Sequence, residues 1–252
     1  MSRFPFLVVG VNISALETLP LRGGDMGAVL DLVRVLFEPT AVFERVREKP
    51  RFLAPYAALA VLQVVIAMVM IPYTRPVMEA AMAQAMQARG ATGAPPNAGA
   101  FAYIGVVAQP IILILLLLIG TAVVWVMASL FGGEGKFGTL LSVVTYSSIT
   151  FGVQLLVTLL VLVVRGAENI QSPADLQPAL GLDLLAPETK GFVGGLLKGV
   201  NPFSIVGYWL TGIGVSVTHR LPRSTGYAIA AAAFVVMVIV GASLSMLGPG
   251  SR

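Results

Sequence analysis

The sequence predicts an all-α integral membrane protein: a five-span helical bundle preceded by an amphipathic segment at the cytoplasmic interface. Three observations carry that reading. Of 252 residues, 57% are hydrophobic and 11% charged, with a mean hydropathy of +0.89, whereas a soluble domain carries about 25% charged residues. A water-solvated fold of this length has too small a core to hide so much apolar surface. Second, five apolar runs are expected to be long enough to cross a bilayer, which takes roughly 20 residues in a helix. Third, lipid offers the backbone no hydrogen bonds, and runs this long satisfy their own only as helices.

Residues 1–25 are expected to be a disordered leader, or to precede a true start at Met26. The run over residues 4–16 imitates a signal-peptide core. Only Arg3 precedes it, Asn12 interrupts it, and the small-residue cleavage pattern is poor. Residues 26–50 read as two short amphipathic helices. Val29, Leu30, Val33, Leu36 and Phe37 recur at the spacing of one helical face. Pro39 suits the first turn of a second helix that Pro50 ends, with Val42, Phe43 and Val46 opposing Glu44, Arg45, Arg47 and Glu48. Placed before a span, this pair is expected to anchor in the membrane interface.

Residues 51–248 form the membrane domain. The apolar runs cover residues 52–71, 111–131, 140–164, 203–218 and 227–247. The second has a lead-in from Phe101 that Pro110 should kink or break. Pro- and Gly-rich connections separate the runs, and residues 192–200 carry an apolar helical pattern that either lies on the membrane or adds a sixth crossing. With the N-terminus inside, inner segments hold Arg3, Arg22, Arg34, Arg45, Arg47, Lys49, Arg51, Lys136, Arg220 and Arg223. The outer segments hold only Arg75, Arg89, Arg165, Lys190, Lys198 and Arg252. Lysine and arginine favour the cytoplasmic side, so the N-terminus is placed inside and the C-terminus outside.

Composition also limits function. The net charge of +4 comes from residues that flank apolar runs rather than cluster, so nucleic acid is not a partner; the bilayer is. Without cysteine there is no thiolate metal site or cysteine nucleophile. None of the five runs contains Asp, Glu, Lys, Arg or His, the groups that mark proton relays and ion paths. Intramembrane proteolysis lacks both zinc ligands and a general base there. Met78, Met82 and Met86 lack the His or Cys of a copper site and read as an apolar face. The glycines at 191, 194, 195 and 199 follow no strand and no Gly-Lys-Ser/Thr, so they are no phosphate loop. His219 beside Arg220 and Arg223 reads as a solvated flank, with the arginines near anionic headgroups. Asp183 and Glu188 lack a nucleophile or metal-ligand pattern. No catalytic residue, metal or cofactor is expected.

Two polar features remain inside the runs. Tyr146, Thr150, Gln154 and Thr158 are successive i+4 neighbours. They either line a path for a small polar solute or lipid headgroup, or hydrogen-bond between helices at about 0.6 kcal/mol per contact; Gln63 and Gln109 carry the same alternatives. Gly207 with Thr211, Gly212 with Ser216 and Gly241 with Ser245 are small-xxx-small pairs. They predict close packing of the fourth and fifth spans, or a homo-oligomer face.

Three stretches carry a family resemblance. Phe37-Glu38-Pro39-Thr40-Ala41-Val42-Phe43 is similar to a P-x-x-x-F lead-in to the first span. Phe131-Gly132-Gly133-Glu134-Gly135-Lys136-Phe137, then Val144-Thr145-Tyr146-Ser147-Ser148, resembles a glycine-rich turn and a Tyr-Ser third span. Asn201-Pro202-Phe203-Ser204-Ile205, with Gly212-Ile213-Gly214, resembles a D/N-P-F-S-I-W … G-x-G signature. In order and spacing these resemble the Yip-one family of Rab-GTPase-interacting membrane proteins, in its bacterial branch. The resemblance implies fold and a bacterial cytoplasmic (inner) membrane location. Rab-type GTPase binding is not carried over, because the Asp-Leu-Tyr-Gly-Pro element is absent and Thr150 stands where a proline often follows Tyr-Ser. The function expected is non-catalytic: membrane-organising, or binding other membrane proteins. The alternative is a permease or channel subunit for a small neutral or lipidic solute.

Overall fold

The structure, a computed structural model, describes residues 23–88, 90, 98–132 and 135–246. Most of the expected leader therefore lies outside the described residues. Among those described, the chain is helical with no strand. The helices are α1 (Gly23–Arg34), α2 (Pro39–Glu48), α3 (Leu53–Ala88), α4 (Ala98–Leu130), α5 (Phe137–Ser147), α6 (Ile149–Arg165), α7 (Gly191–Gly199), α8 (Pro202–Thr218) and α9 (Arg223–Ser245).

Leu53–Ala88, Tyr103–Leu130, Phe137–Arg165 and Arg223–Ser245 are each long and apolar enough to cross a membrane. The expected fourth run does not qualify alone. α8 is too short, and only with α7, bent from it by 59°, does it make a fifth crossing. That elbow is built locally. Asn201 Oδ1 accepts from the Ser204 amide at 2.9 Å while Ser204 Oγ accepts from the Asn201 amide at 3.1 Å, a reciprocal cap with Pro202 in the first turn. Gly191–Gly199 is thus the first arm of a bent helix pair that is long and apolar enough for a broken span or a re-entrant loop.

Two helices run on past prolines, without the break that Pro110 could have made. α3 does not end with the first apolar run but continues through Pro72 and Pro76 to Ala88, and α4 continues through Pro110. Leaving an apolar run does not end a helix. Beyond Pro76 the chain is rich in Ala, Met, Gln and Glu, all strong helix formers, and Arg75 Nε donates to Glu79 Oε1 at 2.8 Å one turn on. At 36 residues, α3 is about 54 Å long, well beyond the ~30 Å hydrocarbon layer.

The main core gathers at the end of the bundle where α3 begins. Val42, Phe43 and Val46 of α2 are buried against Leu140 and Val143 of α5 and Leu210, Ile213 and Val215 of α8. The apolar face of α2 therefore covers protein, where the sequence led us to expect lipid. Each such side chain, fully withdrawn from water, contributes about 1.5–3 kcal/mol. α1 behaves differently. Ala28, Leu32 and Val35 face the bundle, while Leu30, Val33 and Phe37 remain 50%, 54% and 80% exposed.

Candidate functional site

α5 and α6 make one span with a joint at Ser148. Around it, hydroxyls bond back to the preceding turn: Ser142 Oγ to Gly138 O (3.1 Å), Thr145 Oγ1 to Leu141 O (2.7 Å), Ser148 Oγ to Val144 O (2.8 Å) and Thr150 Oγ1 to Ser147 O (3.1 Å). Such bonds satisfy a hydroxyl inside lipid and loosen the helix locally. Ser147 is different: its Oγ is buried with no hydrogen-bond partner among the described residues.

Opposite this joint α8 comes close because residue 207 is glycine. A Cβ there would fall 2.6 Å from Thr150 Oγ1. Beside that contact lies a cleft of about 210 Å³ lined by Ser147, Thr150, Gln154, Ser204, Gly207 and Thr211 among others. Of the four-residue stripe, the structure brings Thr150 and Gln154 into this cleft and leaves Tyr146 and Thr158 outside it. Four-residue steps drift by about 40° each on a 3.6-residue helix, so the stripe winds by about 120° over its length. Thr211, read from the sequence as a packing residue, is a wall of the same cleft and donates to Gly207 O at 2.9 Å.

The remaining small residues serve two separate contacts. Gly212 and Ser216 face α9, where a Cβ on Gly226 would lie 2.4 Å from Gly212 O and 2.8 Å from Ser216 Cβ. Ser245 Oγ donates to Gly191 O at 3.2 Å, and a Cβ on Gly195 would lie 2.7 Å from Ala242 Cα; this pair joins α7 to α9. Gly241 faces open space, with nothing within 4 Å of a Cβ built there.

Tyr146 turns the other way, toward α1 and α2. There Asp31, 8% exposed, accepts from Arg45 Nε (2.9 Å to Oδ2) and Nη2 (2.7 Å to Oδ1). The fork holds the Arg45 guanidinium pKa above its ordinary value, chiefly through those hydrogen bonds. Sequence reasoning missed Asp31. A single acid in an amphipathic helix reads as part of the wet face, and the one available signal was its place between Leu30 and Leu32. Arg223 Nη2 donates to Thr40 Oγ1 at 2.9 Å, tying α9 to α2. His219 is half-buried rather than a solvated flank, with Nδ1 2.8 Å from Thr218 Oγ1. Burial lowers its pKa, partly opposed by its contact with Val215 O. Asp183 is buried but serves its own turn, accepting from the Gly181 amide at 2.9 Å.

The expected lead-in and the expected G-x-G meet in space: a Cβ on Gly214 would lie 3.0 Å from Phe43 Cε1 and 2.4 Å from Val143 Cγ1. A family model described as the Yip1 domain matches residues 33–245. The chain belongs to the Yip1 domain family. No curated protein and no solved structure matches it. Within this Yip1 domain the recurrent motifs have physical jobs. Phe43 fills the space that Gly214 leaves, Gly212 admits α9, and the Asn-Pro-Phe-Ser stretch caps α8 at the elbow. It is a multi-pass membrane protein, all-helical among the described residues, with four to five candidate membrane-spanning helices there.

Proposed function

We propose that this Yip1-domain protein organises the membrane without catalysis, its N-terminus on the inner face of a bacterial cytoplasmic membrane and α1 set into that leaflet. The observation that supports this reading is the pair of opposite faces on α1. One side is clamped to the bundle through Ala28, Leu32, Val35 and the Asp31–Arg45 fork; the other presents Leu30, Val33 and the turn residue Phe37, uncovered. A helix held this way enters the headgroup boundary as a wedge and perturbs lipid packing. In proteoliposomes, the wild type is expected to lower lipid order and reduce vesicle diameter. Leu30→Glu with Phe37→Glu should abolish both while leaving assembly intact. Unchanged lipid order and vesicle size with wild-type protein, together with no partner recovered by crosslinking in native membranes, would overturn the reading.

A second reading, a permease or channel subunit for a small neutral or lipidic solute, is favoured by the unpartnered Ser147 hydroxyl beside the cleft of Thr150 and Gln154. Thr150→Leu with Gln154→Leu separates the two. Loss of solute flux from proteoliposomes with intact assembly supports transport, whereas a wild type that passes no solute removes it.

A further inference from the structure

The contacts of α9 fix where the Thr150–Gln154 cleft lies in the bundle. Ser245 Oγ reaches Gly191 O, a Cβ on Gly195 would meet Ala242, and one on Gly199 would lie 3.1 Å from Val238 Cγ1. Farther along, the ring centroids of Tyr208 and Phe234 stand 5.1 Å apart, and a Cβ on Gly212 would lie 2.8 Å from Tyr227 Cδ1. The partners on α9 thus step back from 245 to 227 as α7 and α8 advance. The two helices run antiparallel along α9 rather than doubling back beside one end of it. The α8 wall of the cleft, within residues 203–211, therefore sits beside the middle of a 23-residue helix that is long and apolar enough to cross a membrane.

The lining holds no Asp, Glu, Lys, Arg or His. Ser148, Thr150 and Thr211 each give their proton to a backbone carbonyl, of Val144, Ser147 and Gly207 respectively. Each keeps a lone pair that accepts. Ser147 and Gln154 are the reverse case. The Ser147 hydroxyl, on a residue 3% exposed, and the Gln154 carboxamide make no hydrogen bond among the described residues, so their donors are open. A ketone or ester only accepts and an ammonium only donates, whereas a hydroxyl does both. Charge is disfavoured with either sign: no carboxylate balances a cation at the N-terminal turn of α8, and no basic group balances an anion.

We infer that this cleft binds an uncharged alcohol, carried either by a lipid such as diacylglycerol or by a small polyol such as glycerol. Val144, Phe151 and Phe203 supply apolar walls for the attached carbon chain. The inference rests on the second reading above for its site, and it names the chemical class that the site selects.

The test uses the full-length protein in phosphatidylcholine nanodiscs carrying equal amounts of diacylglycerol and its O-methyl ether, which has the same chains and no O–H. Retained lipid is read by native mass spectrometry, and glycerol binding in detergent by saturation-transfer NMR. Diacylglycerol should be retained about tenfold over the ether, at the scale of one well-placed hydrogen bond; that result assigns the lipid source. Saturation transfer to glycerol without that preference assigns the soluble one. Ser147→Ala with Gln154→Leu should remove whichever signal is found. Ser147→Ala alone deletes an unpartnered hydroxyl, so it should fold with an unchanged thermal midpoint and weaken binding about threefold. Thr158→Val, on α6 but outside the cleft, should change nothing. Absence of both signals, a signal that the double variant leaves intact, or an equal loss in Thr158→Val would overturn the inference. Flux is scored separately. Binding without flux removes the permease reading and leaves this inference standing, whereas flux of another solute with no alcohol bound does the opposite.

Discussion

The two ends of the bundle are packed by different rules. At the end holding α2, Phe43, Leu140, Val143, Leu210 and Ile229 are buried almost completely, and glycines let backbones close on one another. Toward the other end the buried cluster shrinks to Val77, Leu162 and Ile170, while Tyr103, Val107, Leu160 and Val164 stand 62% to 78% exposed. Lipid explains the contrast. Where a bilayer solvates the side chains, there is no hydrophobic gain in covering them with protein. Where charged α2 residues such as Glu44, Arg47 and Glu48 reach water, apolar surface has to be covered by the chain itself.

The comparison makes graded demands. Phe43→Ala should be the most damaging change, costing about 3–5 kcal/mol for a large buried ring. By the same measure Val164→Ala should cost under about 0.5 kcal/mol. Thermal unfolding of both variants in detergent checks this, and equal losses would erase the distinction between the ends. Gly226→Ala comes next, at about 1–3 kcal/mol, because its Cβ meets the Gly212 carbonyl rather than a movable side chain. The smallest effect is electrostatic. The folded state holds the His219 pKa below the ordinary 6.5, so unfolded chains bind the extra proton first and stability falls as pH drops below about 6.5. His219→Gln should flatten that slope in unfolding midpoints measured from pH 7.5 to 5; an unaltered slope would show that other groups set it.

Much of this architecture was legible before any coordinates. Long apolar runs leave a backbone little choice, so four of the five runs became helices long enough to cross a membrane, while the fourth falls short alone. The Asn-Pro-Phe-Ser cap is equally local and readable. What escaped was whatever depends on distant partners. Nothing near Phe43 announces that Gly214 will receive it, and nothing near Asp31 announces Arg45. The length of α3 escaped because hydropathy reports where lipid ends, whereas helix propensity reports where the helix ends, and Glu79–Ala88 satisfies only the second. The polar stripe reads as one that winds slowly, because its residues repeat by four, and with that winding only its middle reaches the cleft.

The docking of α2 also has a consequence for biogenesis. Phe43 leaves the ribosome before the first span, yet the surface that receives it is made by α5 and α8. Until those late helices are inserted, the nascent N-terminal segment has an apolar face and nowhere in its own chain to put it. A polypeptide halted after α6 would keep α2 without half its seat, as a ready client for chaperones or proteases. The burial of Phe43 thus has to follow the synthesis of α8.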